Sequence, residues 1–327
     1  MPAPAFNPDF RDLCKVFRHK PVQDLYWTFQ SPDLLNRKTF HDHPLFQLTD
    51  SASLLPWLKA LDNNPQHLIQ HLKQYSNTRL GKYFEALWQF TLTHHPQIKL
   101  KAANLQIQDN HRTLGELDFI IEEGDNCIHL ELAVKFYLYV PELNKGETLQ
   151  GWIGPNCNDY FEKKLKRLSS HQLTLPTNPT AQSLLTQKNL TIDSSELILK
   201  GVLFKPLITK IDATKVDNAI IDSPLLSEHH LEGIWLYQHQ LADFLPVTEF
   251  WQPLDKMGWM TPCHNNKTHL PADQIEAYLD EYFSQNKRPL QFLVTHLRKT
   301  ESIADEMDKL KQRVFVVPHD WPWLQAA

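Results

Sequence analysis

The amino-acid sequence predicts a mixed α/β protein, and three observations carry that expectation. Residues 115–135 alternate apolar with other residues on two arms, Leu117, Phe119 and Ile121 on the first and Ile128, Leu130, Leu132 and Val134 on the second, about a Gly124-Asp125 turn. This is the pattern of a β-hairpin. Residues 80–92 instead repeat at helical spacing, with Leu80, Phe84, Leu87 and Thr91 on one row and Gly81, Glu85, Trp88 and Leu92 on the next. In the last third of the chain, apolar runs at 290–297 and 313–317 alternate with helix-spaced segments, as strands and helices of one layered fold do.

Taken in order, residues 1–76 read as irregular and helical. Leu54, Leu55, Leu58 and Leu61 share a stripe, Leu68 and Leu72 another, and Asn63-Asn64-Pro65 divides them. The helix that starts after Asn77 or Thr78 stops at His94-His95-Pro96, because Pro96 removes a donor and pushes His95 out of the helical region. A strand over 98–107 leads into the hairpin, whose second arm runs on through 136–140. That arm is apolar on both faces, the mark of a central strand. Residues 141–157 read as a loop and 159–171 as a helix with Tyr160, Phe161, Leu165 and Leu168 inward. Residues 197–204 form a strand that ends before Pro206. Beyond about 207, strands at 234–237, 290–297 and 313–317 and helices at 272–283 and 301–311 are expected. The strand, helix, strand order implies parallel pairing.

Composition narrows the function. A chain of 327 residues with 42% hydrophobic and 22% charged residues builds a folded core of one large or two modest domains. No apolar run reaches the roughly eighteen residues of a membrane span, and residues 1–8 have neither a basic nor an apolar leader region. The expectation is a cytoplasmic protein with no membrane partner. Cys14, Cys127, Cys157 and Cys263 lack the paired spacing of a zinc or disulfide framework, and Cys263-His264 with His269 is too short a set. No GxGxxG, Walker or GxSxG element is present. With a net charge of -5, any nucleic-acid binding has to come from a local basic patch.

The hairpin carries the chemistry. With Gly124-Asp125 as a two-residue loop, Asp118 falls opposite Glu131 and Glu116 opposite Ala133. Opposed residues have Cβ atoms about 4.5–5.5 Å apart, where like charges destabilise a sheet. A divalent cation, a shared proton or a solvent-exposed edge would each offset the repulsion, and Lys135 lies on the same face. Glu85 sits inside the broad apolar face of its helix, where an acid pairs with Lys82 or Lys99 or reaches solvent. The helix over 159–171 carries Lys163, Lys164, Lys166 and Arg167 against Asp159 and Glu162, a solvated face with a surplus of positive charge.

At this point the pieces resemble a family. The order α-β-β-β-α-β, a glutamate on the first helix, Gly115-Glu116-Leu117-Asp118 on the second strand and an acid-plus-lysine cluster on the third are similar to the core of the PD-(D/E)XK nuclease superfamily. The resemblance implies a restriction-endonuclease-like core at 77–205, a helical N-terminal region at 1–76 and a C-terminal α/β extension at 206–327. The whole chain also resembles an uncharacterised bacterial family labelled domain of unknown function 1853, through residues 131–138, Trp152-Ile153-Gly154-Pro155, His171-Gln172-Leu173 and Val316-Val317-Pro318.

The first resemblance implies a nuclease dependent on Mg2+ (or Mn2+) that hydrolyses phosphodiester bonds of DNA or RNA. Asp118 and Glu131 fall on the metal-binding carboxylates, with Glu116 as a further ligand and Glu85 as the accessory helix acid. The lysine departs from the pattern, because its usual place is Ala133 and the lysine on that face is Lys135; Lys163 or Lys82 could substitute. Lys163, Lys164, Arg167 and Gln172 would contact nucleic acid. The alternative is an inactive nuclease fold that binds nucleic acid or a protein partner.

Overall fold

The computed structural model describes residues 16–38, 40, 44–48, 51–75, 79–95, 98–109, 112–146, 149–207, 223–262, 269–296 and 311–323. Among the described residues the chain begins with α1 (Lys20–Gln30), α2 (Ser51–Asn63), α3 (Gln66–Lys73) and α4 (Leu80–His94). They are followed by β1 (Ile98–Asp109), β2 (Arg112–Glu123), β3 (Asn126–Tyr139), β4 (Trp152–Ile153), α5 (Phe161–Arg167), α6 (Pro179–Gln187) and β5 (Ser194–Pro206). The remainder is β6 (Leu231–Tyr237), α7 (Leu241–Phe244), β7 (Thr248–Leu254), β8 (Leu270–Pro271), α8 (Ile275–Gln285), β9 (Leu290–His296) and β10 (Lys311–Val317).

The ten strands form one mixed sheet in the order β1-β2-β3-β5-β6-β10-β9-β7-β8, with β4 paired to β3. Parallel pairs occur at β5–β6 and β6–β10, and antiparallel pairs at β1–β2, β2–β3, β7–β9 and β9–β10. Packing divides the chain into two units, one drawn from Met1–Lys135, Lys163–Gly201 and Pro224–His230, the other from Phe136–Glu162, Val202–Ser223 and Leu231–Ala327.

In the first unit α4 buries Phe84, Leu87 and Phe90, the apolar rows its spacing dictates. A buried network ties it to α1, with Tyr83 Oη donating to Asp24 Oδ2 at 2.7 Å while Lys20 Nζ lies 2.7 Å from the same oxygen. Such partners make burying Asp24 tolerable. Lys200 of β5, also buried, donates to Ser31 O at 2.7 Å and lies 3.0 Å from Asp33 Oδ1. Leu175, Ala181 and Leu185 cover Ile107, Leu117 and Ile120 in a second cluster. In the second unit Leu236, Phe292, Val294, Val314 and Val316 make the core with Leu241, Ile275 and Leu279 of the helices.

Several expectations are corrected. α1 falls within the stretch expected to be irregular and helical, its start marked by Pro21 in the first turn. α6 lies between the 159–171 helix and the 197–204 strand, where no element is assigned from the sequence; Asn178 caps it by accepting from Thr180 N, and Pro179 supplies a fitting φ. Residues 141–157 are not all loop, since Trp152 and Ile153 pair with Tyr139 and Leu138. β5 runs through Pro206, which needs no donor at a strand end and pairs with Trp235. β7 and β8 were not anticipated. β9 and β10 pair antiparallel rather than parallel, because β10 takes its parallel partner from β6. The helix expected over 301–311 and the Cys263-His264 pair fall outside the described residues, apart from Lys311, which belongs to β10.

One backbone contact fixes how closely β3 and β5 approach. Gly201 has φ +153, and a Cβ there would stand 1.7 Å from Lys135 O. Replacing backbone is not an option for such a clash. Gly201→Ala is therefore expected to cost more than about 3 kcal/mol of unfolding free energy. Gly124→Ala, at φ +61 with nothing within 4 Å, should cost about 1–2 kcal/mol from left-handed strain alone. Denaturant titration of both variants checks the contrast, and equal losses would refute the steric reading.

Candidate functional site

The site grows from the hairpin's register. Glu123 pairs with Asn126, Ile121 with Ile128, Ile120 with His129 and Phe119 with Leu130, which is the pairing of a two-residue loop. The β2–β3 ladder ends there. In the next position Asp118 takes the neighbouring strand's amide with its side chain, Leu132 N–H donating to Asp118 Oδ2 at 3.0 Å. Glu116 pairs across the other edge of β2, with Gln106 of β1, rather than with Ala133.

Glu131 is buried with no exposed surface, and Asp118 is half-buried. Burial pushes the Asp118 carboxyl up to about 7, with the Glu131 charge next in importance and the Leu132 amide opposing. Burial likewise pushes Glu131 up to about 8 against the pull of Lys164 and of the Asp118 amide, while Glu85 and Glu116 push it further. The two acids thus feel each other and two more carboxylates in a dry place.

The cation closest in effect is Lys164 of α5, not Lys135. Lys164 Nζ donates to Gln172 Oε1 at 3.0 Å, and Gln172 Nε2 donates to Glu131 Oε2 at 2.6 Å. Burial and then the Lys135 charge hold the Lys164 ammonium below its usual pKa, while Glu131 and Asp118 raise it. Lys135 is therefore near Lys164, two residues later on the strand than the usual lysine position, where Ala133 is buried. Lys82 Nζ donates to Glu85 Oε2 at 2.6 Å, and this hydrogen bond raises its pKa against burial, with the Glu85, Glu116 and Asp118 charges adding to the rise. Lys163 and Arg167 are exposed on α5. Gln172 is not a free polar contact, since both ends of its amide are occupied.

Local structure explains this placement. The helix read as running to His171 ends at Arg167 and continues as a π turn, Leu168–Gln172, with Leu173 N bonded to Leu168 O at 2.9 Å. One extra residue per turn swings Gln172 toward the sheet, and such turns occur often at functional sites. Gly115 makes room for it, because a Cβ there would stand 2.7 Å from Leu175 Cδ2 and 3.5 Å from His171 Cε1.

Sequence reasoning missed His129. It lies two residues before Glu131, on the same face of β3, and the alternation that placed Glu131 could have placed it. His129 Nδ1 lies 3.1 Å from Ser195 Oγ and His129 Nε2 lies 3.3 Å from Glu131 Oε1. Neither Nε2 nor Oε1 makes a hydrogen bond, and both are buried. Burial pushes the imidazole down to about 4 against the pull of Asp118.

A hard divalent cation fits this donor set in a limited sense. Two carboxylates are adjacent, one with an orphaned buried oxygen, and ions of the magnesium type take one or two carboxylates and keep their waters. A ready-made cage is not present: among the described residues no three His, Cys, Asp or Glu side chains are grouped to hold a metal.

A family model described as a domain of unknown function (DUF1853) matches residues 23–317. The chain belongs to this family. No curated protein and no solved structure matches it. Among the described residues of this DUF1853 chain, no helix is long and apolar enough to cross a membrane. Cys127 and Cys157 are free thiols, and Cys14 and Cys263 lie outside the described residues.

The raised carboxyls predict that the stability of this chain depends on pH, with a sign set by linkage. Asp118 and Glu131 titrate near 4 when unfolded and at about 7 and about 8 when folded. Between these values the folded chain holds more protons, so their contribution to stability is lost as pH rises. His129 acts in the opposite direction only below its ordinary value of 6.5. In cation-free buffer the thermal midpoint should fall from about pH 6.5 to about pH 8 and level off above that. Glu131→Gln should flatten that fall and end above the parent at the alkaline end. Parallel profiles for the two proteins would refute the assignment.

Proposed function

We propose that this chain is a divalent-cation-dependent nuclease that hydrolyses phosphodiester bonds of DNA or RNA. The observation that carries the reading is the pairing of half-buried Asp118 with buried Glu131, to which Lys164 is linked through Gln172. The order α4, β1, β2, β3, α5, β5 adds support, since it contains the α-β-β-β-α-β core expected of a restriction-endonuclease-like fold, with β4 and α6 inserted.

Asp118 and Glu131 would hold the cation, with Glu116 and Glu85 adding negative potential from close by. Once bound, the cation lowers the pKa of a water and polarises a phosphate oxygen. The chain's own groups do the rest. Lys164 sets a positive charge beside the carboxylates, where it favours an anionic phosphate and a deprotonated nucleophile. Gln172 fixes the Glu131 carboxylate through Oε2 and leaves Oε1 unbonded. Exposed Lys163, Lys166 and Arg167 on α5 offer an electrostatic contact to the phosphate backbone that weakens as salt rises. The inactive nuclease-fold alternative draws on one observation, the buried Ala133 at the usual lysine position.

Purified protein with Mg2+ or Mn2+ should cleave at least one member of a panel of single- and double-stranded DNA and RNA. Asp118→Asn or Glu131→Gln should each reduce the rate at least about 10³-fold, and Lys164→Ala about 10²–10³-fold, as loss of one preorganised charge does. Lys135→Ala should cost less than about tenfold on the same reasoning. Absence of cleavage across the panel supports the inactive alternative, and cleavage unchanged in Asp118→Asn sinks the site.

A further inference from the structure

We propose that His129 is a nitrogen ligand of the cation site, which makes the site favour Mn2+ over Mg2+. The inference rests on the cation reading above and adds to it a residue that the carboxylate pattern does not contain.

His129 and Glu131 have no exposed surface. Their facing atoms, Nε2 and Oε1, are 3.3 Å apart and neither has a hydrogen-bond partner. A buried polar atom left without a hydrogen bond is costly, and here two such atoms meet. When Ser195 Oγ accepts from Nδ1, Nε2 carries a lone pair, and an ionised Glu131 presents another. Two facing lone pairs at this distance are relieved by a proton on one of them or by a cation beside them, and a cation bound by Asp118 and Glu131 would meet both atoms. Neighbouring ligands of an octahedral ion at about 2.1 Å stand about 3.0 Å apart, close to the spacing seen. Asp118 is turned onto Leu132 N, so the His129–Glu131 pair is the part of the site already in place.

Ser195 completes the argument. A metal-bound histidine ordinarily gives its second ring N–H to an acceptor that fixes tautomer and orientation, and Ser195 Oγ at 3.1 Å from Nδ1 occupies that position. The surrounding strand explains why nitrogen is available here at all. His129 pairs with Ile120 in the closed part of the ladder, which holds its backbone two positions from where Asp118 takes over from the backbone. Imidazole favours transition ions over magnesium, which prefers oxygen.

The test is electron spin-echo spectroscopy of bound Mn2+, with protein carrying ordinary or 15N-labelled histidine. One Mn2+ per chain, lost in Asp118→Asn, should show nitrogen modulation that changes with the label and disappears in His129→Gln. Calorimetric titration should show the Mn2+ preference over Mg2+ shrinking in that variant. Should His129→Gln fail to fold, Ser195→Ala replaces it and should weaken Mn2+ about 10–100-fold. Bound Mn2+ without histidine modulation, or modulation that survives His129→Gln, overturns the role of His129 and leaves the carboxylate site standing. Failure of wild-type protein to bind Mn2+ overturns both.

Discussion

The constraint on which the site depends is the enforced proximity of Asp118 and Glu131. The hairpin's register places them in neighbouring positions of adjacent strands, and helix packing then removes water from around Glu131. The local chemistry responds with polar groups from every direction: the Leu132 amide on Asp118, Gln172 on Glu131, and the Lys164 charge behind Gln172. These groups lessen the penalty but do not remove it, since both carboxyls stay well above the usual range. An arrangement that remains unfavourable for its own charges is poised to accept a positive one.

Two glycines and one π turn convert that electrostatic arrangement into a rigid geometry. Gly201 lets β5 come against Lys135, and Gly115 lets the segment after α5 lie on β2. The turn at Leu168–Gln172 then changes the helical phase, so that Gln172 faces Glu131 while Lys163 and Arg167 stay exposed. A regular helix through the same residues would direct a different side chain at the acid. The backbone departs from the common geometries where the polar contacts converge, as expected when function rather than propensity sets local structure.

The hairpin was legible in the sequence because its information is local. Period-two alternation and a Gly124-Asp125 turn fix register, and register fixes which acid neighbours which. α4 was legible for the same reason, through its apolar rows and the stop at His94-His95. The partner of Glu131 was not, because which helix residue reaches a strand depends on packing between segments about forty residues apart. A solvated-looking run such as Lys163-Lys164 does not announce that one lysine is half-buried. His129 is a different case. Its spacing from Glu131 was readable, but a histidine in an apolar strand has no sequence mark that separates a packed core residue from a ligand. α6 also had its signal, Asn178-Pro179, and proline density obscured it.

The displaced lysine takes on another meaning in this geometry. A lysine at position 133 would bring its charge up along the strand, on a flexible stem, into a place where even Ala133 is buried. Here the charge arrives from α5 instead, at one remove. The Gln172 amide has only one favourable orientation between these groups, nitrogen toward the carboxylate and oxygen toward the ammonium. Reversing it would set oxygen against Glu131 and nitrogen against Lys164, both repulsive. The two charges therefore lock the amide, and the amide in turn holds the charges at a fixed separation. What the strand lacks in a residue, the helix supplies as a spacer whose orientation is decided by the groups it joins.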